Sequence, residues 1–208
     1  MSGLNQLVLL SPASCSGQRA ALLFNERAEF FLARKLRSEG ATLGEIFSFL
    51  SGLYYRGKLT YARAFSQPRA DSNAIWTITA GRGLIDPATI ITLDELRQFS
   101  EVPIHIDEPR YREPLLRDAA KLAKILPNTG PAVLLGSVAS DKYVPILHEA
   151  FGDRLVFPQD FVGRGDMSRG GLLLRAVDEG EELSYVPVMT SIRRGRRPKK
   201  LPPRKTRP

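Results

Sequence analysis

The chain has 208 residues, of which 43% are hydrophobic and 25% are charged, as in an ordinary globular domain. Its single cysteine, Cys15, excludes an internal disulfide, and its two histidines are too far apart in sequence to suggest a zinc site. No apolar run approaches the roughly 20 residues of a membrane-spanning helix, and the N-terminus lacks the pattern of a signal peptide. We therefore expect a cytoplasmic protein that makes no contact with a membrane and holds no metal.

The net charge of +8 is concentrated at the C-terminus. Residues 193–208 carry nine Lys or Arg and no acid, which leaves 21 basic and 22 acidic side chains in residues 1–192. Four prolines in this segment disfavour a helix, so the sequence predicts a folded domain over 1–192 and a disordered basic tail over 193–208. Such a tail can bind the phosphates of DNA or RNA, bind an acidic protein surface, or only aid solubility.

Four short apolar runs alternate with helical patterns, which is typical of a parallel sheet covered by helices. The sequence predicts one three-layer α/β/α domain with a mainly parallel four-stranded sheet, whose strands are residues 6–10, 74–79, 132–135 and 154–157. Ligands of such sheets bind beyond the carboxyl ends of the strands, so we expect the functional residues there.

Periodicity and capping signals predict the helices. Thr42 or the residue beside it is expected to cap one helix, and Thr92 with Glu95 has the spacing of a capping box. The predicted helices are residues 19–38, 43–50, 56–64, 93–99, 114–126 and 144–151, and residues 185–188 form a candidate edge strand.

The segment FVGRGDMSRGG, residues 161–171, follows the last predicted strand and contains four glycines. It predicts a loop in which the backbone approaches a ligand closely. Arg164, Ser168 and Arg169 are candidate phosphate or substrate ligands, and Asp166 is the candidate catalytic carboxylate. The alternative is a structural turn in which Asp166 caps a helix and pairs with an arginine.

The segment SGLYYRGKLTY, residues 51–61, combines aromatic and basic side chains. This composition suggests that Tyr55 stacks on a base and that Arg56 and Lys58 hold phosphates. The alternative is that the tyrosines, Tyr54 and Tyr61 among them, are core residues.

Polar residues also follow the other three predicted strands. Ser14 is a candidate substrate ligand after the first, and Cys15 beside it is either a nucleophile or an inert buried thiol. Arg82 is a candidate substrate ligand after the second, and Ser137 and Ser140 follow the third. Besides Asp166, three acids remain candidate catalytic carboxylates: Asp86, Asp141 and Asp160.

The order of these segments over residues 6–171 resembles that of the uracil-DNA glycosylase superfamily. The segments that carry the resemblance are LVLLSPAS, AIWTITAGRGLIDP, REPLLRDAAKLAKILPNTGPAVLLGSVASDKYVPIL and LVFPQDFVGRGDMSRGG. No acid or amide follows the first strand, and Phe157-Pro158 stands where that family has His-Pro-Ser. The resemblance implies a divergent DNA glycosylase that needs no cofactor and acts on a modified or damaged base, such as a modified cytosine of phage DNA, with Asp166 supplying the carboxylate. A role in phage defence would follow.

Such an enzyme flips a nucleotide out of the duplex and breaks the bond between base and sugar, which leaves an abasic site. Two other classes of function fit the same sequence. One is a hydrolase or transferase that acts on nucleotides or RNA bases, and the other is a non-catalytic nucleic-acid-binding module whose tail supplies most of the affinity.

Overall fold

The computed structural model describes residues 5–66 and 73–202. Within them, six strands form one sheet in the order β4-β3-β1-β6-β7-β8, and β2 and β5 form a separate antiparallel pair. The strands are Leu7–Leu10 (β1), Ala41–Thr42 (β2), Ile75–Thr79 (β3), Gly83–Ile85 (β4), Ile90–Ile91 (β5), Ala132–Leu135 (β6), Leu155–Pro158 (β7) and Tyr185–Pro187 (β8).

The four strands predicted from apolar runs are β1, β3, β6 and β7, and they lie side by side and parallel. The α/β class and the mainly parallel sheet are therefore confirmed, but the predicted number of strands is wrong. β4 and β8 pair antiparallel at the two edges of the sheet, over the described residues. β4 returns along β3 through a tight turn and has only three residues, too few for a recognisable apolar run.

All four residues of β1 and of β6 are buried. Since successive side chains point to opposite faces of a strand, both faces of the sheet centre are covered. The covering helices are Gln18–Phe24 (α1), Phe31–Ser38 (α2), Leu43–Ser51 (α3), Leu53–Phe65 (α4), Leu93–Glu101 (α5), Pro109–Ile125 (α6), Val144–Phe151 (α7) and Asp166–Glu179 (α8). α4 packs against α8, and α6 packs against α7.

Side-chain caps begin two of these helices as the sequence predicts. The Glu45 N–H donates to Thr42 Oγ1 (3.2 Å), and the Thr42 N–H donates to Glu45 Oε2 (2.9 Å), which completes a capping box at α3. Thr92 and Glu95 make the same reciprocal pair at α5. Each capping box satisfies backbone N–H groups that have no partner within the first turn of a helix. The sequence therefore predicts where α3 and α5 begin.

The single helix predicted over residues 19–38 is instead two, because the chain leaves the helical conformation at Asn25. The Asn25 Oδ1 accepts a hydrogen bond from the Arg27 N–H (2.9 Å), a local turn that competes with helix continuation. The guanidinium of Arg37 then donates to the Ala28 carbonyl oxygen (2.6 Å) and holds the connection against α2.

The glycine-rich segment 161–171 is only partly a loop, because α8 begins at Asp166 and includes Gly170 and Gly171. A Cβ on Gly57 would lie 2.8 Å from the Gly170 carbonyl oxygen, and a Cβ on Gly170 would lie 2.8 Å from the Leu53 carbonyl oxygen. Gly57 and Gly170 therefore allow the backbones of α4 and α8 to come into close contact. This is a different role from the predicted one, in which the backbone approaches a ligand.

The predicted disorder of the tail is not confirmed over residues 193–202, which lie on the surface of the domain without regular secondary structure. The Arg194 guanidinium donates to the Ala139 carbonyl oxygen (2.9 Å), and the Arg175 guanidinium donates to that of Pro202. The remainder of the tail lies outside the described residues. No helix in the described part of the chain has the length and hydropathy to cross a membrane.

We predict that Gly57→Ala lowers the free energy of unfolding by about 1–3 kcal/mol relative to Gly171→Ala, as measured by denaturant unfolding. Both variants gain the helix propensity of alanine, about 1 kcal/mol. Only the Cβ at residue 57 meets backbone, whereas a Cβ at residue 171 meets the flexible end of the Arg175 side chain. Equal stabilities of the two variants would contradict close backbone packing.

Candidate active site

Two adjoining cavities of about 430 and 440 Å³ lie beyond the carboxyl ends of the central parallel strands. Their walls come from the loops after β1 and β6 and from the first residue of α8, as expected for a parallel sheet, and residues 99–104 at the end of α5 complete one of the two cavities. We treat them as one crevice, because both are lined by the same six residues: Pro12, Ala13, Ser14, Lys142, Tyr143 and Asp166.

The loop after β1 forms one wall of the crevice. It begins at the buried Ser11, whose N–H donates to the Leu135 carbonyl oxygen (3.1 Å) and so ties the loop to the end of β6. Ser14 is exposed, and its Oγ lies 3.3 Å from that of Ser16. The structure thus brings the predicted residue Ser14 into the crevice.

The loop between β6 and α7 forms the opposite wall. Ser137 and Ser140 line it, followed by Lys142 and Tyr143. The hydroxyl of the buried Tyr111 in α6 donates to the Lys142 carbonyl oxygen (2.8 Å) and fixes this end of the loop. Burial raises the pKa of Tyr143 to about 12, with a further contribution from Asp166, so Tyr143 is a neutral hydrogen-bonding group.

Asp166 lies at the mouth of the crevice as the first residue of α8, with 71% of its side chain exposed. Its carboxylate lies 3.7 Å from the guanidinium of Arg169, one helical turn further on. A carboxylate in this first turn also interacts favourably with the positive end of the helix dipole. The structure therefore brings Ser14 and Asp166, which are 152 positions apart in the chain, to the same cavity.

Lys58 is a correction to the sequence prediction, because it is fully buried and cannot reach a phosphate at the surface. Its ammonium group donates to the Ser11 carbonyl oxygen (2.5 Å) and to Ser11 Oγ (2.8 Å), beneath the loop after β1. The pKa of Lys58 is lowered to about 7, mainly because burial removes its ammonium group from water, while Asp166 acts to raise this pKa and Arg169 acts to lower it. Lys58 is therefore a support of the crevice wall.

Tyr55 is a second correction. Its side chain has no exposed surface, and its hydroxyl is 2.6 Å from Thr77 Oγ1 in β3. Its ring packs edge-on against Phe47. A ring enclosed in this way cannot stack on a base, so the alternative reading of this segment as core is correct for Tyr55.

Arg169 is a third correction, since it is only 7% exposed and donates to the Phe161 carbonyl oxygen (3.3 Å). Arg164, which donates to Ser168 Oγ (3.3 Å), does lie at the surface. Arg164 and Ser168 line a separate cavity of about 350 Å³ between α8 and the C-terminal segment. They are thus next to the crevice rather than in it.

The other two predicted substrate ligands lie away from the crevice. Arg56 is exposed on α4 and lines none of these cavities. Arg82 forms an ion pair with Glu95, whose carboxylate also completes the cap of α5. Cys15 lines the crevice, but burial raises the pKa of its thiol to about 12, which favours an inert thiol over a nucleophile.

The basic C-terminal segment, residues 193–202, contains six Lys or Arg and runs beside the crevice. Arg194 contacts the loop after β6 at Ala139, and a Cβ on Gly163 would overlap the Arg196 carbonyl oxygen. Arg197, Lys199 and Lys200 then line the cavity that α8 shares with this segment. Positive charge is therefore concentrated next to the turn of α8 that carries Asp166.

The sequence reasoning missed Lys142 and Tyr143, although the same polar loop contains Ser137 and Ser140. Both residues could have been predicted, because the loop after β6 continues as far as Tyr143 before α7 begins. It also missed Tyr54, which lines the crevice from α4. No cluster of three or more metal-binding side chains occurs in residues 5–66 and 73–202.

Comparisons with known proteins returned no match for this chain among protein-family models, curated proteins or solved structures. The case for a function therefore depends on the chemistry of the crevice and on the charge beside it.

We predict that the stability of the protein relative to Lys58→Met rises between pH 7 and pH 9, as measured by denaturant unfolding. In this range the unfolded lysine, with a pKa of about 10.4, keeps a proton that the folded lysine releases above about 7. The unfolded state then binds more protons, so the free energy of unfolding increases with pH, by at most about 1.4 kcal/mol per unit. Cys15 is present in both proteins, so its contribution to the pH dependence cancels in the comparison. Parallel pH profiles would show that Lys58 is charged throughout.

Proposed function

We propose that this protein is a DNA glycosylase that hydrolyses the bond between a modified or damaged base and its sugar. The observation that carries the proposal is the position of Asp166, a largely exposed carboxylate at the mouth of a hydroxyl-lined crevice beside a basic segment. A base that has left the duplex would enter the crevice, while its neighbouring phosphates meet the basic side chains.

The proposed chemistry needs only the groups of this chain and a water molecule. As the bond from the sugar C1′ to the base nitrogen breaks, positive charge develops on the sugar, and the Asp166 carboxylate stabilises it. Asp166 also accepts the proton of the attacking water, whose oxygen forms the new bond to C1′. The base departs with the bonding electron pair and takes up a proton from solvent, and Asp166 releases to solvent the proton that it accepted, which leaves an abasic site.

The crevice is suited to a neutral, planar, polar ligand. Its lining is rich in hydroxyl groups, which both donate and accept hydrogen bonds, and its charged members are Glu101, Lys142 and Asp166. Its volume is in the usual range for small-ligand sites. A nucleobase is such a ligand, whereas a ligand with a carboxylate or with a large apolar group is not.

The balance of charge favours nucleic acid as the partner. Residues 1–192 are close to neutral, so the attraction to phosphates comes from the segment that begins at Arg193. Arg164 of the segment before α8 faces the same cavity as Lys199 and Lys200, which makes a continuous basic surface beside Asp166.

We predict that Asp166→Asn folds and binds DNA normally but releases base at least a hundredfold more slowly. A carboxylate that acts as a base or stabilises charge contributes about 10² to 10⁴ in rate. The assay incubates the protein with oligonucleotides that carry different modified bases, uracil and modified cytosines among them, and then cleaves abasic sites with alkali.

Asp160→Asn is the matched control, because Asp160 is an exposed acid just before the segment that holds Asp166 and lines neither half of the crevice. Base release by Asp166→Asn at the control rate would remove Asp166 from the mechanism. Release only from free nucleosides would instead favour the nucleotide hydrolase, and DNA binding without release from any substrate would favour the non-catalytic module.

We also predict that changing Arg197, Lys199 and Lys200 together to Gln reduces the salt dependence of DNA binding. The slope of log K against log salt should fall by about 0.9 for each duplex phosphate that the variant no longer neutralises, without a change in melting temperature. The matched control changes Arg117, Lys121 and Lys124, three exposed cations of α6, to Gln. Equal slopes for the two triple variants would show that the basic segment does not contact phosphates.

A further inference from the structure

The cavity of about 350 Å³ between α8 and the C-terminal segment, here called the α8 cavity, differs from the crevice in its charge. The segment that covers it is held near both ends, because Arg194 donates to the Ala139 carbonyl oxygen and Arg175 donates to that of Pro202. The described residues that line the cavity include no acid, whereas five of them are basic: Arg164, Arg175, Arg197, Lys199 and Lys200. Positive charge is therefore concentrated around a small volume.

The fold does not neutralise this charge. Two of the five cations are held by neutral acceptors, since Arg164 donates to the Asp160 carbonyl oxygen (2.9 Å) and Arg175 donates to that of Gly171 (3.0 Å). The other three, which belong to the C-terminal segment, are exposed and make no hydrogen bond or ion pair within the described residues. Like charges that converge without a counter-charge repel one another, so a bound anion would stabilise this arrangement.

Much of the remaining lining of the α8 cavity is apolar. The apolar side chains come from the start of α4, from α8 and from the C-terminal segment: Leu53, Met167, Leu174, Pro198 and Leu201. A ligand that fills the cavity therefore has an apolar part as well as negative charge. The volume is near the lower end of the usual range for small-ligand sites, about 300 to 1,000 Å³, which fits one small molecule rather than a length of polymer.

Phosphate groups match these cations better than a carboxylate does. Guanidinium and ammonium groups donate strong, charge-assisted hydrogen bonds to phosphate oxygens, and arginine can do so with two parallel bonds. A single carboxylate would leave most of the five positive charges uncompensated. Two or three linked phosphates instead carry several negative charges in a small volume, and a nucleoside attached to them supplies a flat face for the apolar wall.

We propose that the α8 cavity is a second binding site, which takes a nucleotide that carries two or three linked phosphates. The phosphates contact the cations of the C-terminal segment, and the nucleoside packs against the apolar side chains of α8 and Leu201. This inference goes beyond the proposed function, because it requires neither a base in the crevice nor base release. One consequence does rest on the proposed function: a bound nucleotide would compete with DNA for Arg197, Lys199 and Lys200.

The first experiment measures binding of ATP, tripolyphosphate and adenosine to the full chain by isothermal titration calorimetry. All titrations use one low ionic strength and no divalent cations, because salt screens the attraction between exposed charges. ATP should bind most tightly. Tripolyphosphate should bind about threefold to tenfold more weakly, since it lacks the apolar contacts, and adenosine should show no measurable binding because it lacks the charge. Equal affinities for ATP and tripolyphosphate would overturn the proposal.

A pair of double variants tests whether the charge acts locally. Changing Lys199 and Lys200 together to Gln should weaken ATP and tripolyphosphate binding about tenfold or more, with no change in melting temperature. The matched control changes Lys121 and Lys124, exposed cations of α6 that do not line the cavity, to Gln and should bind both probes as the wild type does. Equal weakening by the two double variants would show a general attraction to a positive protein and would overturn the site.

A second pair of variants tests the apolar wall. Leu201→Asn should weaken ATP binding and leave tripolyphosphate binding unchanged, because only the nucleoside packs against residue 201. Ile192→Asn is the control, since Ile192 is a strongly exposed apolar residue just before the segment and does not line the cavity. An equal effect of Leu201→Asn on both probes, or no effect on either, would overturn the placement of the nucleoside.

The two proposals fail separately. Addition of ATP to the protein bound to a fluorescent oligonucleotide should displace the DNA, as measured by anisotropy. ATP that binds without displacing DNA would support the nucleotide site and contradict the proposed DNA contacts of the basic segment. Base release from DNA by a protein that does not bind ATP would support the glycosylase and contradict the nucleotide site.

Discussion

Gly57 and Gly170 allow the backbones of α4 and α8 to touch, and the position of the crevice depends on this contact. With side chains at either residue, the helices would move apart and carry the first turn of α8 away from the loop after β1. At the present distance, α4 supplies Lys58 to support Ser11 and Tyr54 to line the cavity, while α8 supplies Asp166. One backbone contact thus brings together three groups of different chemistry.

Two buried basic side chains lie beneath the crevice and interact with Asp166. Lys58 and Arg169 are both withdrawn from water, which is costly unless hydrogen bonds or opposite charges compensate. Carbonyl oxygens of Ser11 and Phe161 provide part of this compensation. Asp166 provides charge, being 3.7 Å from Arg169 and acting to raise the pKa of Lys58. The exposed carboxylate is therefore electrostatically coupled to the groups that hold the crevice wall.

The sequence predicted the four parallel strands well, because β1, β3, β6 and β7 are largely buried and so are nearly continuous in apolar residues. It predicted the position of the crevice for the same reason, since parallel strands end at a common edge. It failed on α4, where Tyr55 and Lys58 have the composition of a nucleic-acid surface but lie in the core. It also read Gly170 as a loop residue, because glycine permits both a turn and close helix packing, and only the partner helix distinguishes them.

Under the proposed function, affinity and selectivity come from separate parts of the chain. The basic segment interacts through charge, which is sensitive to salt and does not read the base, whereas the crevice interacts through short hydrogen bonds that do. The two parts are nevertheless joined, because residues 194–196 pack against the loops that follow β6 and β7. A phosphate backbone bound along this segment would run beside the first turn of α8. Binding energy gained from phosphates is then available at the position where the base must leave its stack, which is the costly step of the reaction.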